Sequence, residues 1–512
     1  MTSERIATGG GHVPAAAAAR TVVPPVAWPL LSAVAGVAVA VIVAAAGRYG
    51  PHRDELYFIV AGRHLAFGYD DQPSLVPLLA RLMDAVAGGS LTVLRLPNAL
   101  AVGATVLLTG LLAREFGGGR AAQALAAAAW ATAPAVLVAG RMLVTPPFDI
   151  LGWTAVAYLF ARWGRTRDDR LLLALGPIVG LNLHVKTLPL LFLAALAVAV
   201  AVTGPREVLR RPALWTAALV AVAVWAPNLW WQAANGWPQF HKAVQLSGDG
   251  LYGTRAELLP AQLLYIGPPL AAMFLLGLWR LLTDRSGGPQ RALGVAFVVV
   301  LGLVFVTGGH AYYPLGAMPA VVAAGAVAGT AWARTAARRR WLGAAVAANA
   351  ALSAVAALPV LPVDRFAGSP VAALNVDAGE MIGWPELAAT VAGVYRTLPP
   401  EQRRTAVVFA QNYGEAGALD RYGPALGLPR PYSGHVAFWR WGPPPDAATG
   451  PVIAVGWFTA ESLAPLCAAP VVVTRLDNGH RLANTEQGAP VWLCDAPRQP
   501  WSVAWPALRH LG

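Results

Sequence analysis

Apolar runs recur along the chain, separated by short polar stretches rich in arginine, glycine and proline. A run of about 20 residues crosses a hydrocarbon core about 30 Å thick. Such runs fall at roughly 26–46, 92–113, 120–139, 145–163, 171–184, 187–203, 213–231, 261–282, 291–306, 312–333 and 341–361, which predicts about eleven spans. The fifth and sixth are short and also read as one broken helix pair. Leu75 to Val86 has polar residues interleaved with its apolar ones, the pattern of a helix lying along a membrane surface. From about Pro362 the pattern becomes that of a small α/β domain. Thr405 to Phe409, Val452 to Val455 and Val471 to Thr474 read as short buried strands, and Glu380 to Tyr395 and Glu415 to Tyr422 as helices. The chain therefore divides into a polar N-terminus expected to be disordered (1–25), a membrane domain (26–361) and an α/β domain (362–512).

Composition agrees with the pattern. Of 512 residues 56% are hydrophobic and only 12% charged, with a mean hydropathy of +0.52. Soluble proteins average about 25% charged residues, so a soluble fold is excluded. The net charge of +12 comes almost wholly from arginine, since Lys186 and Lys242 are the two lysines. The arginines sit in short loops between spans rather than in one stripe, which argues against a nucleic-acid partner. The first apolar run lacks a small-residue cleavage site and reads as a retained span.

Loop charge orients the spans. With the N-terminus in the cytosol, the inner loops hold Arg114 and Arg120; Arg162, Arg165, Arg167 and Arg170; Arg206, Arg210 and Arg211; Arg280, Arg285 and Arg291; and Arg334, Arg338, Arg339 and Arg340. The short outer loops offer Arg141 and Lys186. Cytoplasmic loops carry the basic excess, so an odd number of spans places the α/β domain outside the plasma (inner) membrane. There Cys467 and Cys494 can pair in an oxidising compartment, though their spacing does not decide it.

The first outer loop holds the densest chemistry. Pro51 to Pro73 packs four carboxylates, two arginines, two histidines and two tyrosines into 23 residues. Asp54-Glu55 at a membrane surface can supply a general base, or simply pair with Arg53 or Arg63. Asp71, followed by Gln72-Pro73, can hold a sugar hydroxyl or a divalent cation, or merely end a turn. Asp149 follows Thr145-Pro146-Pro147, which also reads as an ordinary capped helix start; an acid at a membrane edge is a functional candidate. His184 and Lys186 interrupt an apolar stretch, and the Lys186 ammonium suits a phosphate or snorkels at a helix end. His310-Ala311-Tyr312-Tyr313-Pro314 can grip phosphate or sugar, or belong to the interfacial aromatic belt. Arg141 is a further outer cation. Gly117-Gly118-Gly119 lacks the Lys-Ser/Thr of a phosphate-binding loop.

Taken in order, the acidic pair after the first span, Asp71-Gln72-Pro73, Asp149, His184-x-Lys186 and Tyr312-Tyr313-Pro314 resemble bacterial membrane glycosyltransferases of family 39, of the protein O-mannosyltransferase-like type. The likeness covers about 26–335 and extends to Gly383-Trp384-Pro385-Glu386 and Asn412-Tyr413-Gly414-Glu415-Ala416. The resemblance implies the GT-C membrane fold, a polyprenyl-phosphate sugar donor and an inverting mechanism on the outer face. It implies Asp54 as base beside Glu55, Asp149 as a second acid, and Lys186 with His310 and Tyr313 on the donor phosphate. Where relatives have an arginine soon after Asp-Glu, this chain has Leu56 and Tyr57, leaving Arg53 and Arg63 nearest; where some have a lysine it has Gln72.

Two other functions fit the same sidedness. A transporter of lipid-linked sugars also needs outer polar groups, but should show ionisable residues near the bilayer midplane or broken helices. A non-catalytic envelope-assembly protein would not require both Asp54 and Asp149.

Overall fold

The computed structural model describes residues 23–248, 255–285 and 288–511. The disorder expected for 1–25 falls almost wholly outside these residues. Each of the eleven apolar runs is helical. Among the described residues six helices are long and apolar enough to cross a membrane, or up to eight if two bent pairs each count as one. The bends, 59° between Arg120–Ala131 and Pro134–Gly140 and 89° between Arg255–Ile266 and Pro268–Thr283, both fall where a proline interrupts the helix. The runs at 145–163, 171–184 and 187–203 form Pro146–Thr166, Arg170–Leu173 with Leu175–Leu183, and Pro189–Thr203. The last two runs are thus separate short helices rather than full-length spans. Proline at the first turn opens several of these helices, where its missing N–H costs nothing. Gly277 and Gly325 let the helices Ala271–Thr283 and Met318–Trp332 approach backbone to backbone, since a methyl at either would strike the other helix.

Contacts join several of the loops into two groups. At one end Glu115 binds Arg114 and Arg165, Arg167 pairs with Glu207, and Arg211 with Asp169. At the other end His184 meets Ser74, Lys186 meets Tyr312, and Arg141 meets Asn375. The C-terminal domain sits at this second end. The chain is a multi-pass membrane protein.

The first loop carries the helices Arg53–Arg63 and Leu75–Val86, the latter with the bounds its amphipathic pattern predicts. In the C-terminal domain five strands, β1 (Val407–Ala410), β2 (Pro431–Ser433), β3 (Val452–Val455), β4 (Val471–Arg475) and β5 (Pro490–Cys494), lie in the order β2-β1-β3-β5-β4. The β2-β1-β3 half is parallel and the β3-β5-β4 half antiparallel. Helices Trp384–Thr397 and Tyr413–Tyr422 cover it. Cys467 and Cys494 are bonded to each other. The apolar core of the sheet is continuous with the helix Arg53–Arg63, through Leu56, Tyr57 and Val60. The domain therefore packs on the first loop itself.

Candidate active site

The two acidic doublets of the first loop are each split in the same way. His52 caps the helix Arg53–Arg63, accepting from Asp54 N at 3.2 Å, while Glu55 reaches back to His52 N at 2.8 Å. This capping box turns Glu55 inward. It is fully buried and takes Arg95 Nε at 2.8 Å and Nη2 at 2.7 Å, together with Leu143 N at 2.8 Å. Burial alone would raise its pKa, but the Arg95 charge and these donors hold it below the usual carboxylate value. Arg95 also donates to the carbonyls of Ala46 and Gly50, so the pair ties the first span to the loop. Asp54, one residue earlier, points the other way. Its side chain is 34% exposed, and its Oδ1 accepts from Tyr413 Oη at 2.8 Å.

In the second doublet Asp70 is fully buried and bound by two arginines of the C-terminal domain: Arg440 at 2.5 and 3.0 Å and Arg509 at 2.6 Å. Arg440 also reaches Asn235 Oδ1 at 2.7 Å, so three segments meet here. Asp71 is only partly buried and accepts from Tyr57 Oη at 2.6 Å. Burial and the neighbouring Asp70 push its carboxyl up to about 7. The rings of Tyr57 and Tyr413 lie 5.0 Å apart, so one aromatic pair brackets Asp54 and Asp71. Both phenols are pushed well above their ordinary pKa, by burial first and by the adjacent carboxylates, and stay protonated as donors.

A second group forms where the membrane helices end. Lys186 Nζ donates to Tyr312 Oη at 3.0 Å and sits over the rings of Tyr312 and Tyr313, at 4.7 and 5.2 Å. The His310 ring lies 5.2 Å from each tyrosine ring. Burial, Lys186 and Lys242 lower its pKa to about 4, so it is neutral at pH 7 and offers hydrogen bonds rather than charge. Asp149 is buried, holds Trp153 Nε1 at 3.0 Å and feels the Lys186 charge. Thr145 makes no side-chain cap at this helix start. Lys242 links the two groups, since its charge acts on both Asp71 and His310 while its Nζ donates to the Leu511 carbonyl.

The other candidates stand apart. Arg63 pairs with Asp420 at an exposed rim, 2.7 Å away. Arg141 is buried against Asn375 and Met381. His184 uses both ring nitrogens, on Ser74 Oγ at 3.0 Å and the Val224 carbonyl at 2.8 Å, and so pins the Leu75–Val86 helix to the membrane bundle. Gln72 is buried, its backbone carbonyl bound by Tyr69 N. Arg53 lies over the Tyr413 ring, 5.0 Å away, and 3.7 Å from Glu380. Among the described residues no three His, Cys, Asp or Glu side chains gather to hold a metal, around Asp71 or elsewhere.

Several members of this site were not singled out by the sequence: Tyr57, Tyr413, Lys242, Arg95, Arg440 and Arg509. Tyr413 stands in one of the stretches that carry the family likeness, and Lys242 is one of two lysines; these were the available signals.

Residues 71–231 match the family model described as dolichyl-phosphate-mannose-protein mannosyltransferase. No curated protein matches the sequence. Among solved structures, ArnT from Cupriavidus metallidurans bound to undecaprenyl phosphate is similar, with a TM-score of 0.59 and 18% identity over 91% of this chain and 97% of that one. The same protein in its apo state gives a TM-score of 0.57 at 18% identity over the same shares. The chain thus has the GT-C fold and, through residues 71–231, the match to the dolichyl-phosphate-mannose-protein mannosyltransferase family that its sequence resembles.

Proposed function

We propose that the protein is an inverting glycosyltransferase that moves a sugar from a polyprenyl phosphate to an acceptor hydroxyl on the extracytoplasmic side. The observation that carries this reading is the pairing of two unlike groups at one end of the bundle. Asp54 keeps an oxygen, Oδ2, outside the Tyr413 hydrogen bond, and Lys186 rests on aromatic rings with no ion pair among the described residues. A cation so placed fits a phosphate, and a carboxylate so placed fits a base. The family match and the fold shared with an undecaprenyl-phosphate-bound protein support the donor class.

In the step that follows, the acceptor oxygen bonds to the sugar C1 as the bond from C1 to the phosphate oxygen breaks. The electron pair leaves on polyprenyl phosphate, and the acceptor's proton passes to Asp54 Oδ2. Lys186, with Tyr312, Tyr313 and a neutral His310, stabilises the charge that grows on the departing phosphate. Asp149 holds the Trp153 indole and places a carboxylate within reach of the Lys186 charge. Glu55, whose oxygens are already occupied by four donors, holds the loop rather than the proton.

The test is transfer by the purified protein from a panel of polyprenyl-phosphate sugars to hydroxyl acceptors. Polyprenyl phosphate release and the product's anomeric configuration by NMR are the readouts. Release with inverted configuration is expected. Retained configuration, or no release from any donor, would overturn the reading.

A further inference from the structure

The C-terminal domain reaches into the first loop at Asp54 itself. Tyr413, 359 residues along the chain from Asp54, opens the helix Tyr413–Tyr422 and donates its phenol to Asp54 Oδ1 at 2.8 Å. We propose that Tyr413 is a positioning residue for the transfer, so that the C-terminal domain completes the active site of the membrane domain. The proposal rests on Asp54 being the base.

Tyr413 is held on every side. Asn412 caps its helix through Gly414 N and Glu415 N, at 2.8 and 3.0 Å. Its own N–H donates to His435 Nδ1 at 3.2 Å, and the His435 ring stacks on it at 5.1 Å. The Tyr57 ring and the Arg53 guanidinium each lie 5.0 Å from its ring. A phenol fixed this way defines one place for its oxygen. Its hydrogen bond fixes the rotation of the Asp54 carboxylate and leaves Oδ2 as the oxygen that receives the acceptor's proton. That oxygen is 3.9 Å from His52 Nδ1, a nitrogen already accepting from Asp54 N, and no hydrogen bond to Oδ2 forms among the described residues. Holding a reacting group in one orientation is worth large rate factors, and the supporting residue earns its effect through the group it holds.

The docking that delivers Tyr413 has a second anchor. Asp70 with Arg440 and Arg509 seats the same domain on the same loop. The proton acceptor and its support therefore reach their places through one interface.

Wild type, Asp54→Asn, Tyr413→Phe and the double variant are compared as full chains in membranes, with kcat and donor KM measured for each. Tyr413→Phe removes one oxygen and keeps the ring, so thermal unfolding in detergent is expected to match wild type. We expect kcat to fall about 10- to 100-fold with donor KM within about twofold, the mark of a loss felt in the chemical step rather than in donor binding. In the Asp54→Asn background the same change is expected to cost nothing further, because its effect runs through Asp54. Wild-type kcat in Tyr413→Phe overturns the proposal and leaves Asp54 as base. An equal fall in both backgrounds, or a rise in KM with kcat intact, also overturns it. Equal transfer by wild type and Asp54→Asn sinks the base reading, and the proposal with it.

Discussion

The loop's two acidic doublets, at opposite ends of Pro51 to Pro73, make the same choice. In Asp54-Glu55 the second residue is buried and saturated by Arg95; in Asp70-Asp71 the first is buried and saturated by Arg440 and Arg509. The remaining member of each, Asp54 or Asp71, is less buried and held by a single tyrosine. Both buried acids join the loop to something distant: Glu55 to the first span and the Leu143 turn, Asp70 to the C-terminal domain. The doublets thus set an anchored acid beside a less buried one within adjacent residues. A buried pair left without its partner is costly, whereas a carboxylate with one donor and solvent access keeps an oxygen for a substrate.

The comparison predicts unequal effects of four matched substitutions. Glu55→Gln should destabilise by about 3–5 kcal/mol, because it leaves Arg95 buried without its counter-charge. Asp70→Asn should destabilise by less, because Arg440 and Arg509 are partly exposed and water can solvate them. Thermal unfolding in detergent and the yield of folded protein would read this. Asp54→Asn and Asp71→Asn should unfold close to wild type. Equal destabilisation across the four would break the division.

The next effect concerns the phosphate group. Lys186→Met should lower kcat/KM for the donor roughly 30-fold, the scale of a lost charged hydrogen bond, with little change in unfolding temperature. Titrating donor concentration in the transfer assay would show it, and unchanged kcat/KM would remove Lys186 from the site.

A smaller effect follows from pH. Burial, reinforced by neighbouring acids, raises Asp71 to about 7, Glu415 to about 8 and Glu486 to about 7. A carboxyl whose folded pKa lies above its unfolded value stabilises fully below the unfolded value, near pH 4. That contribution is lost as pH rises through about 7 to 8. The unfolding temperature should therefore fall between about pH 4 and 8, and Asp71→Asn or Glu415→Gln should flatten the slope. The smallest effect is Arg63→Ala, which removes an exposed pair worth under about 1 kcal/mol and should leave transfer unchanged.

Much of this was visible in the sequence, for definite reasons. Long apolar runs and an amphipathic stretch report the solvent each face meets, so the membrane helices and Leu75–Val86 could be read directly. The strands β1 and β3 were visible as short buried β-branched runs. β4 was visible as a strand by the same pattern, but it lies at the sheet edge and its valines are exposed rather than buried. By contrast, β2 is only Pro431–Ser433 and β5 begins at a proline. Asp54 stood out because an apolar chain makes a polar cluster conspicuous. Its sorting from Glu55 did not, because that depends on Arg95, hidden inside an apolar span, and on Tyr413 in another domain. The anchoring role of Asp70 was hidden for the same reason: its partners lie 370 and 439 residues away in the chain. Local pattern reports burial and curvature; partner choice is set by the tertiary fold.

The most direct test of the account is the transfer rate of Asp54→Asn, in protein whose unfolding temperature matches wild type. Loss of a general base typically costs about 10²- to 10⁴-fold, and the account predicts a fall in that range with donor binding intact. Wild-type transfer by folded Asp54→Asn would contradict it.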